Sequence, residues 1–334
     1  MLAPGAGLTS FPDVPDDVRL IDLAWNELTE VPARVTALAA LEELRLDGNR
    51  LRALPALSGL GALRALHLDG NELTGLPGLP PALETLFLYG NRVETLPDRL
   101  PEGLRHLAAG GNRLTGTPAG LWKLTGLESL NLAENALTEV PAAIGGLSRL
   151  RMLDLGHNRL TSIPPELGDL PLTDYLYLSD NGFTDVPAAL GRLDRLAYLN
   201  LTDNRLTTLP AALGSMTSLA ELRLYGNRLE ALPETFGGLT SLRELHLQGN
   251  RLTRLPPSIA GLTELRVLDL RNNHLTGLPP LPPGLTHLDL RNNRLRELPD
   301  ELPALEKLDL RWNKLYDDPP VLDRLRARGC VVLR

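Results

Sequence analysis

The 334-residue chain carries 41 acidic against 34 basic side chains, a net charge of −7, which argues against a phosphate-tracking surface and so against nucleic acid as a partner. Apolar residues make up 43% of the chain and aromatics only 4%, enough for a core built on aliphatic side chains rather than rings. One cysteine, Cys330, excludes an internal disulfide, and no run of apolar residues is long enough to cross a bilayer, so a reducing, cytoplasmic location without a membrane partner is expected.

At the N-terminus, MLAPGAGLTSFPDVPDDVRL shows neither a basic n-region nor an apolar stretch of signal-peptide length, which fits that location. LTSFPDVPDDVRLIDL aligns position for position with LTGLPPLPPGLTHLDL further along. Residues 8 to 17 therefore read as the returning half of a repeat that lacks its strand, and residues 1–17 as a partial repeat and thin cap. An open strand edge invites pairing. The expectation is a monomer whose N-terminal edge is where a second copy would attach.

Residues 18–313 hold the repeat. Alignment on Asn26, Asn49, Asn71, Asn91, Asn112, Asn135, Asn158, Asn181, Asn204, Asn227, Asn250, Asn273, Asn293 and Asn313 gives fourteen units reading LxxLxLxxNxLxxLP. LxLxx alternates with period two, so it makes a short strand with Leu on one face and the x positions on the other. The Asn amide has donors and acceptors enough to satisfy backbone groups of its own unit and the next, and the Pro stops the strand from continuing. Long units such as PAALGRLDRL and PETFGGLTSL can form a helical turn, whereas LPPLPPGLTHL has too many prolines and returns extended.

Residues 314–334 read as a C-terminal helix–strand cap, with Asp318 as N-cap, Pro319 and Pro320 in the first turn, Gly329 as the stop and CVVLR as a last strand. Cys330 is expected to pack there rather than to act as a nucleophile.

Across essentially the whole chain this pattern resembles the leucine-rich repeat family. The resemblance implies an α/β solenoid, a horseshoe of about 14 repeats. Its parallel β-sheet lines the concave face, and short helical, 3-10 or extended segments form the convex face. The long LPxxLGxLTxL units are similar to those of intracellular Ras-group scaffolds and their bacterial counterparts. The short LPPLPPGL units resemble those of type III effector proteins, although no cysteine ubiquitin-ligase domain follows here. What the family implies is protein binding through the inner face.

No metal-ligand spacing, P-loop, dinucleotide turn or nucleophile elbow occurs, so neither enzyme activity nor a cofactor is expected. Function is sought instead at the outward strand positions six, four and two residues before each Asn. Five of the six tyrosines fall there, namely Tyr89, Tyr175, Tyr177, Tyr198 and Tyr225, together with Phe87, Met152, His67, His106, His246 and His287. Tyrosine supplies contact area with a polar tip at low entropy cost. Its strand-forming preference is the competing explanation.

The middle row reads Asp154, Tyr177, Asn200, Arg223, His246, Asp269. The partner-binding candidates are Phe87, Tyr89, Asp154, Tyr175, Tyr177, Tyr198, Asn200, Arg223, Tyr225 and His246, with the hot spot at Tyr175, Tyr177 and Tyr198.

Three further features bear on function. Ala109 and Thr117 replace inward leucines beside Ala108, Gly110 and Gly111, which reads as an underfilled repeat. Glu134, His157, Asp180 and Asp203 form a column that could attract a cation, but acids at such a turn accept backbone hydrogen bonds, so no metal is expected. In the thrice-repeated LDLR phrase, Asp269, Asp289 and Asp309 stand beside Arg271, Arg291 and Arg311 as a neutralised ladder. The function expected is a scaffold or adaptor holding a protein partner on its concave face. A carbohydrate or cell-wall recognition module and an effector or inhibitor of a host protein are the alternatives.

Overall fold

The structure, a computed structural model, describes residues 1–316 and 319–334. It comprises two compact units, Met1–Arg159 and Leu160–Arg334. In the first unit seven parallel strands pair in chain order: β1 (Leu20–Asp22), β2 (Glu43–Arg45), β3 (Ala65–His67), β4 (Thr85–Phe87), β5 (His106–Ala108), β6 (Ser129–Asn131) and β7 (Met152–Asp154). The second unit continues the scheme with β8 (Tyr175–Tyr177), β9 (Tyr198–Asn200), β10 (Glu221–Arg223), β11 (Glu244–His246), β12 (Val267–Asp269), β13 (His287–Asp289), β14 (Lys307–Asp309) and β15 (Val331–Leu333).

Each strand is three residues long, and in the repeat strands the central apolar residue is buried while its neighbours face outward. Ile21, Leu44, Leu199 and Leu245 are wholly buried, as period-two alternation requires. The strands stop because the Asn turn follows. Asn49 shows how that turn is held: Nδ2 donates to the carbonyls of Leu46 at 3.0 Å and of Leu23, one repeat back, at 2.9 Å, and Oδ1 accepts from the Leu28 amide at 3.0 Å. Asn204 repeats the arrangement in the second unit with Leu178, Leu201 and Phe183. These asparagines satisfy backbone groups that a buried turn would otherwise orphan.

The residue before each Asn of this kind turns through positive φ. Most are Gly, Asp or Asn, which tolerate that region, but Trp25 (φ 58°) and Trp312 (φ 61°) also adopt it.

Opposite the sheet, the long repeats make single 3-10 turns such as Ala188–Arg192, Ala211–Ser215 and Glu234–Gly238. An extended proline leads into each, and the amide of the apolar residue that follows closes it, as Leu193 does on the Leu190 carbonyl and Met216 on the Leu213 carbonyl, both at 3.1 Å. Residues 277–284, the Pro-rich return, contain no helical turn. Close stacking of the turns depends on glycine, since a Cβ at Gly191 would overlap the carbonyl of Ala212, and one at Gly214 that of Thr235.

Both ends refine the sequence reading. The N-terminal half-repeat has no strand of its own, but residues 1–5 run beside β1: Leu2 forms an isolated bridge to Asp22, the Ala3 amide donates to the Asp22 carbonyl at 2.9 Å, and Asn26 Nδ2 reaches the Ala3 carbonyl at 2.9 Å. Ala6 stands where the complete units have Asn, which is why residues 1–5 escaped the alignment. At the C-terminus α1 (Pro320–Ala327) has Pro319 at its N-cap position, Gly329 turns at φ 90°, and β15 pairs with β14. The expected N-cap Asp318 lies outside the described residues. Cys330 is buried, and burial pushes its thiol up, away from the reactive thiolate.

Candidate functional site

Alternation fixes which side chains leave the sheet. Leu176 and Leu178 are fully buried, so Tyr175 and Tyr177 must project from the open face, and register sets Tyr175 beside Tyr198 and Tyr177 beside Asn200. The Tyr175 and Tyr177 ring centroids are 4.9 Å apart, and those of Tyr177 and Tyr198 5.1 Å apart, both pairs tilted by about 50° as aromatic quadrupoles prefer. The three rings form one continuous aromatic surface.

Arg223 caps this cluster, its guanidinium 5.4 Å from the Tyr198 centroid and its Nε 2.6 Å from Glu221 Oε1. Burial pushes the Tyr198 phenol well above its ordinary range, and the charge of Arg223 only partly offsets that. Tyr198 is therefore a neutral donor and acceptor at any physiological pH.

Beyond Arg223 the face sinks into an open hollow of about 670 Å³, lined among others by Arg223, Tyr225, His246, Gln248, Asp269 and Arg271. His246 Nε2 lies 3.1 Å from Glu244 Oε2, and Arg271 Nε 3.2 Å from Asp269 Oδ2. Gln248 Oε1 is buried without a hydrogen-bond partner.

Six of the ten sequence candidates, Tyr175, Tyr177, Tyr198, Arg223, Tyr225 and His246, thus share the open face of the second unit. Asn200 is on the same strands but only 8% exposed, with Oδ1 holding the Thr202 amide at 3.0 Å. It shapes the turn. Asp154 does the same for Gly156 at 2.9 Å in the first unit, where burial pushes its carboxyl up.

In the first unit Phe87 meets His67 edge to face at 5.1 Å. Tyr89 has a different partner: its hydroxyl donates to Glu134 Oε1 at 2.7 Å. A Cβ at Gly110 would lie 2.8 Å from the Tyr89 ring, and one at Gly111 3.3 Å from it. Gly110 and Gly111 are therefore the bed on which Tyr89 lies, while Ala109 stays buried on the inward face.

Sequence reasoning also passed over the turn chemistry of the middle row. Wherever that row is Asp or Asn, its Oδ1 accepts the amide two residues on, as for Asp22, Asn131, Asp269, Asp289 and Asp309. The Asx turn was the available signal. Glu221, Glu244 and Gln248 were missed although they occupy the same outward positions, because polar side chains at a strand surface ordinarily form a solvated face. The acidic column Glu134, His157, Asp180 and Asp203 consists of positive-φ turn residues, and Glu134 is engaged by Tyr89.

Comparison with known proteins places this geometry. Leucine-rich repeat models match residues 17–73 and 102–160, 240–283 and 284–305, and a leucine-rich repeat region model matches 141–251. A solved leucine-rich repeat protein of Leptospira interrogans is 32% identical, with a TM-score of 0.89, over 99% of this chain and 94% of that one. The Arabidopsis receptor kinase HAESA, solved in complex with the peptide hormone IDA and a co-receptor, is 28% identical with a TM-score of 0.72, over 94% of this chain and 61% of that one. The leucine-rich repeat and calponin homology domain-containing protein of Drosophila melanogaster is 43% identical over 123 residues, which is 35% of this chain and 15% of that protein. The chain thus spans a small part of the curated relative it matches. The cytoplasmic location expected from the sequence is overturned, since the similar solved chains include the ectodomain of the Arabidopsis membrane receptor kinase GASSHO1/SCHENGEN3, 27% identical with a TM-score of 0.53 over 95% of this chain and 47% of that one.

Proposed function

The chain belongs to the leucine-rich repeat family, and we propose from this that it is a non-enzymatic module holding a protein or peptide partner on its concave face. The observation that carries the reading is the contiguous Tyr175–Tyr177–Tyr198 surface with Arg223 over its edge. Aromatic area with polar tips beside an Arg is the composition of interface hot spots. Tyr225 and His246 extend that surface into the hollow beside it, where charged groups of both signs would fix a partner's register. The peptide hormone held by HAESA supports an extended segment as the kind of partner to seek. Phe87 and Tyr89 would serve as a secondary contact. A bacterial source fits the composition, in which lysine occurs only at Lys123, Lys307 and Lys314.

The test is selection of a displayed peptide library on the wild-type chain, followed by affinity measurement on the triple variant Tyr175→Ala, Tyr177→Ala, Tyr198→Ala. Loss of more than a hundredfold in affinity with an unchanged unfolding transition is expected. Full affinity in the triple variant would remove the tyrosine surface from the binding site.

A further inference from the structure

A second feature of the open face adjoins the tyrosine surface and shares Arg223 and His246 with it. On β10 and β11 register sets Glu221 directly beside Glu244, with His246 two residues further along the same face. One ligand atom from each of the three lies within 4.8 Å of the others. This is more specific than an acidic cluster, because an imidazole nitrogen joins two carboxylates from adjacent, rigidly paired strands.

We propose that Glu221, Glu244 and His246 form a binding site for a divalent transition-metal ion, with Zn²⁺ as the reference ligand. Zinc takes His nitrogen and carboxylate oxygen at about 2.0–2.2 Å in tetrahedral sites, which sets its ligand atoms about 3.3 Å apart. The paired backbone holds the register, so contraction from the present separation falls to the Glu side chains, 23% exposed at Glu221 and 45% at Glu244. His246 Nε2 is already 3.1 Å from Glu244 Oε2. Arg223 occupies one oxygen of Glu221 through its Nε at 2.6 Å, which orients that carboxylate and leaves its second oxygen to coordinate. This is the role an outer partner plays for a metal ligand.

A separate observation concerns the His246 end of this group. Gln248, two residues beyond His246 on the same face, lines the same hollow, and its buried Oε1 accepts no hydrogen bond. A buried carbonyl oxygen left unpaired costs free energy, and a metal-bound water is the donor that this location would supply. Three protein ligands leave a position for that water. Imidazole favours Zn²⁺, Cu²⁺ or Ni²⁺ over Ca²⁺ and Mg²⁺, which prefer all-oxygen shells.

Titration of the metal-stripped full chain with ZnCl₂ by calorimetry is the experiment. One ion per chain is expected, with at least a tenfold weakening in His246→Ala and in Glu244→Gln, and no change in His106→Ala, whose ring nitrogen instead meets Ser129 Oγ at 3.0 Å. Co²⁺ should give visible absorption bands that His246→Ala abolishes. Thermal unfolding of the metal-free variants should match that of the metal-free wild type. Glu221→Gln, which keeps shape and hydrogen bonding, supplies the reading should His246→Ala fold poorly. No heat with Zn²⁺, equal binding by His246→Ala, or equal competition by Ca²⁺ would each overturn the proposal.

Discussion

The hydroxyl of Tyr89 donates to the carboxylate of Glu134 at 2.7 Å, spanning two repeats across a strip where Gly110 and Gly111 leave room for the ring. That bond, with burial and the charge of Glu134 reinforcing it, pushes the Tyr89 phenol up to about 12. In Glu134→Gln the phenol should titrate nearer its ordinary value of about 10, read by ultraviolet absorbance against pH. Gly110→Ala forces the ring away from its bed and should cost about 1–3 kcal/mol. An unchanged titration in Glu134→Gln would show that Tyr89 does not hold this contact in solution.

The Asp–Arg ladder contains two carboxylates that respond oppositely to acid. Asp309 is buried, which alone would raise it, but hydrogen bonds from Arg311 and the charges of Arg311 and Arg291 hold it below the usual carboxylate range. Its stabilising contribution is complete above the unfolded value near pH 4 and is lost as the pH falls through the lower folded value. At Asp269 burial dominates and the neighbouring Asp289 adds to it, so the carboxyl is pushed up. The fold then prefers Asp269 protonated, and its ionisation weakens the fold as the pH rises through the raised folded value. Denaturant melts at pH 7 should show Asp309→Asn less stable by about 1–2 kcal/mol and Asp269→Asn equal to or more stable than wild type. Both differences should shrink at pH 3.

Asn204 makes bonds to Leu178, Leu201 and Thr202 carbonyls and to the Phe183 amide, all between 3.0 and 3.2 Å, and is 6% exposed. Asn204→Ala strands several buried backbone groups at once, each worth about 1–3 kcal/mol when unpaired. A loss of at least 3 kcal/mol is expected in equilibrium unfolding, with local amide exchange accelerating first around Phe183.

Trp312 holds positive φ while 70% exposed, and its ring lies 5.6 Å from the Arg311 guanidinium. Left-handed backbone costs a non-glycine residue about 1–2 kcal/mol, while an exposed cation–π pair returns about 0.5–1 kcal/mol. Trp312→Gly should therefore be neutral or stabilising by up to about 1 kcal/mol. A clear loss of stability would mean that the indole packs more tightly than its exposure indicates.

The strands, the Asn turns and the 3-10 backs were legible because each rests on local periodicity: Leu at alternate positions, Asn at a fixed spacing, proline at each return. The tyrosine surface was legible for the same reason, since alternation alone decides which side Tyr177 takes. What escaped notice depends on partners distant in sequence. Tyr89 and Glu134 are 45 residues apart, and no local pattern links them. The room that Gly110 and Gly111 leave has no meaning in the sequence without the ring that fills it. Residues 1–5 escaped because Ala6 replaces the one residue on which the alignment relied. Location was misjudged because a single cysteine says only that no disulfide is internal to the chain.

Gly168, Gly191, Gly214 and Gly237 each meet a backbone carbonyl of the following turn, at Ala189, Ala212, Thr235 and Ser258 respectively. The contact recurs every 23 residues, and each turn is both donor of the gap and occupant of the next. A 23-residue cassette copied from this stretch would therefore dock on its parent without new seams, and one removed would leave matching surfaces. Lengthening or shortening the array by one such unit in this stretch keeps the same glycine-to-carbonyl seam.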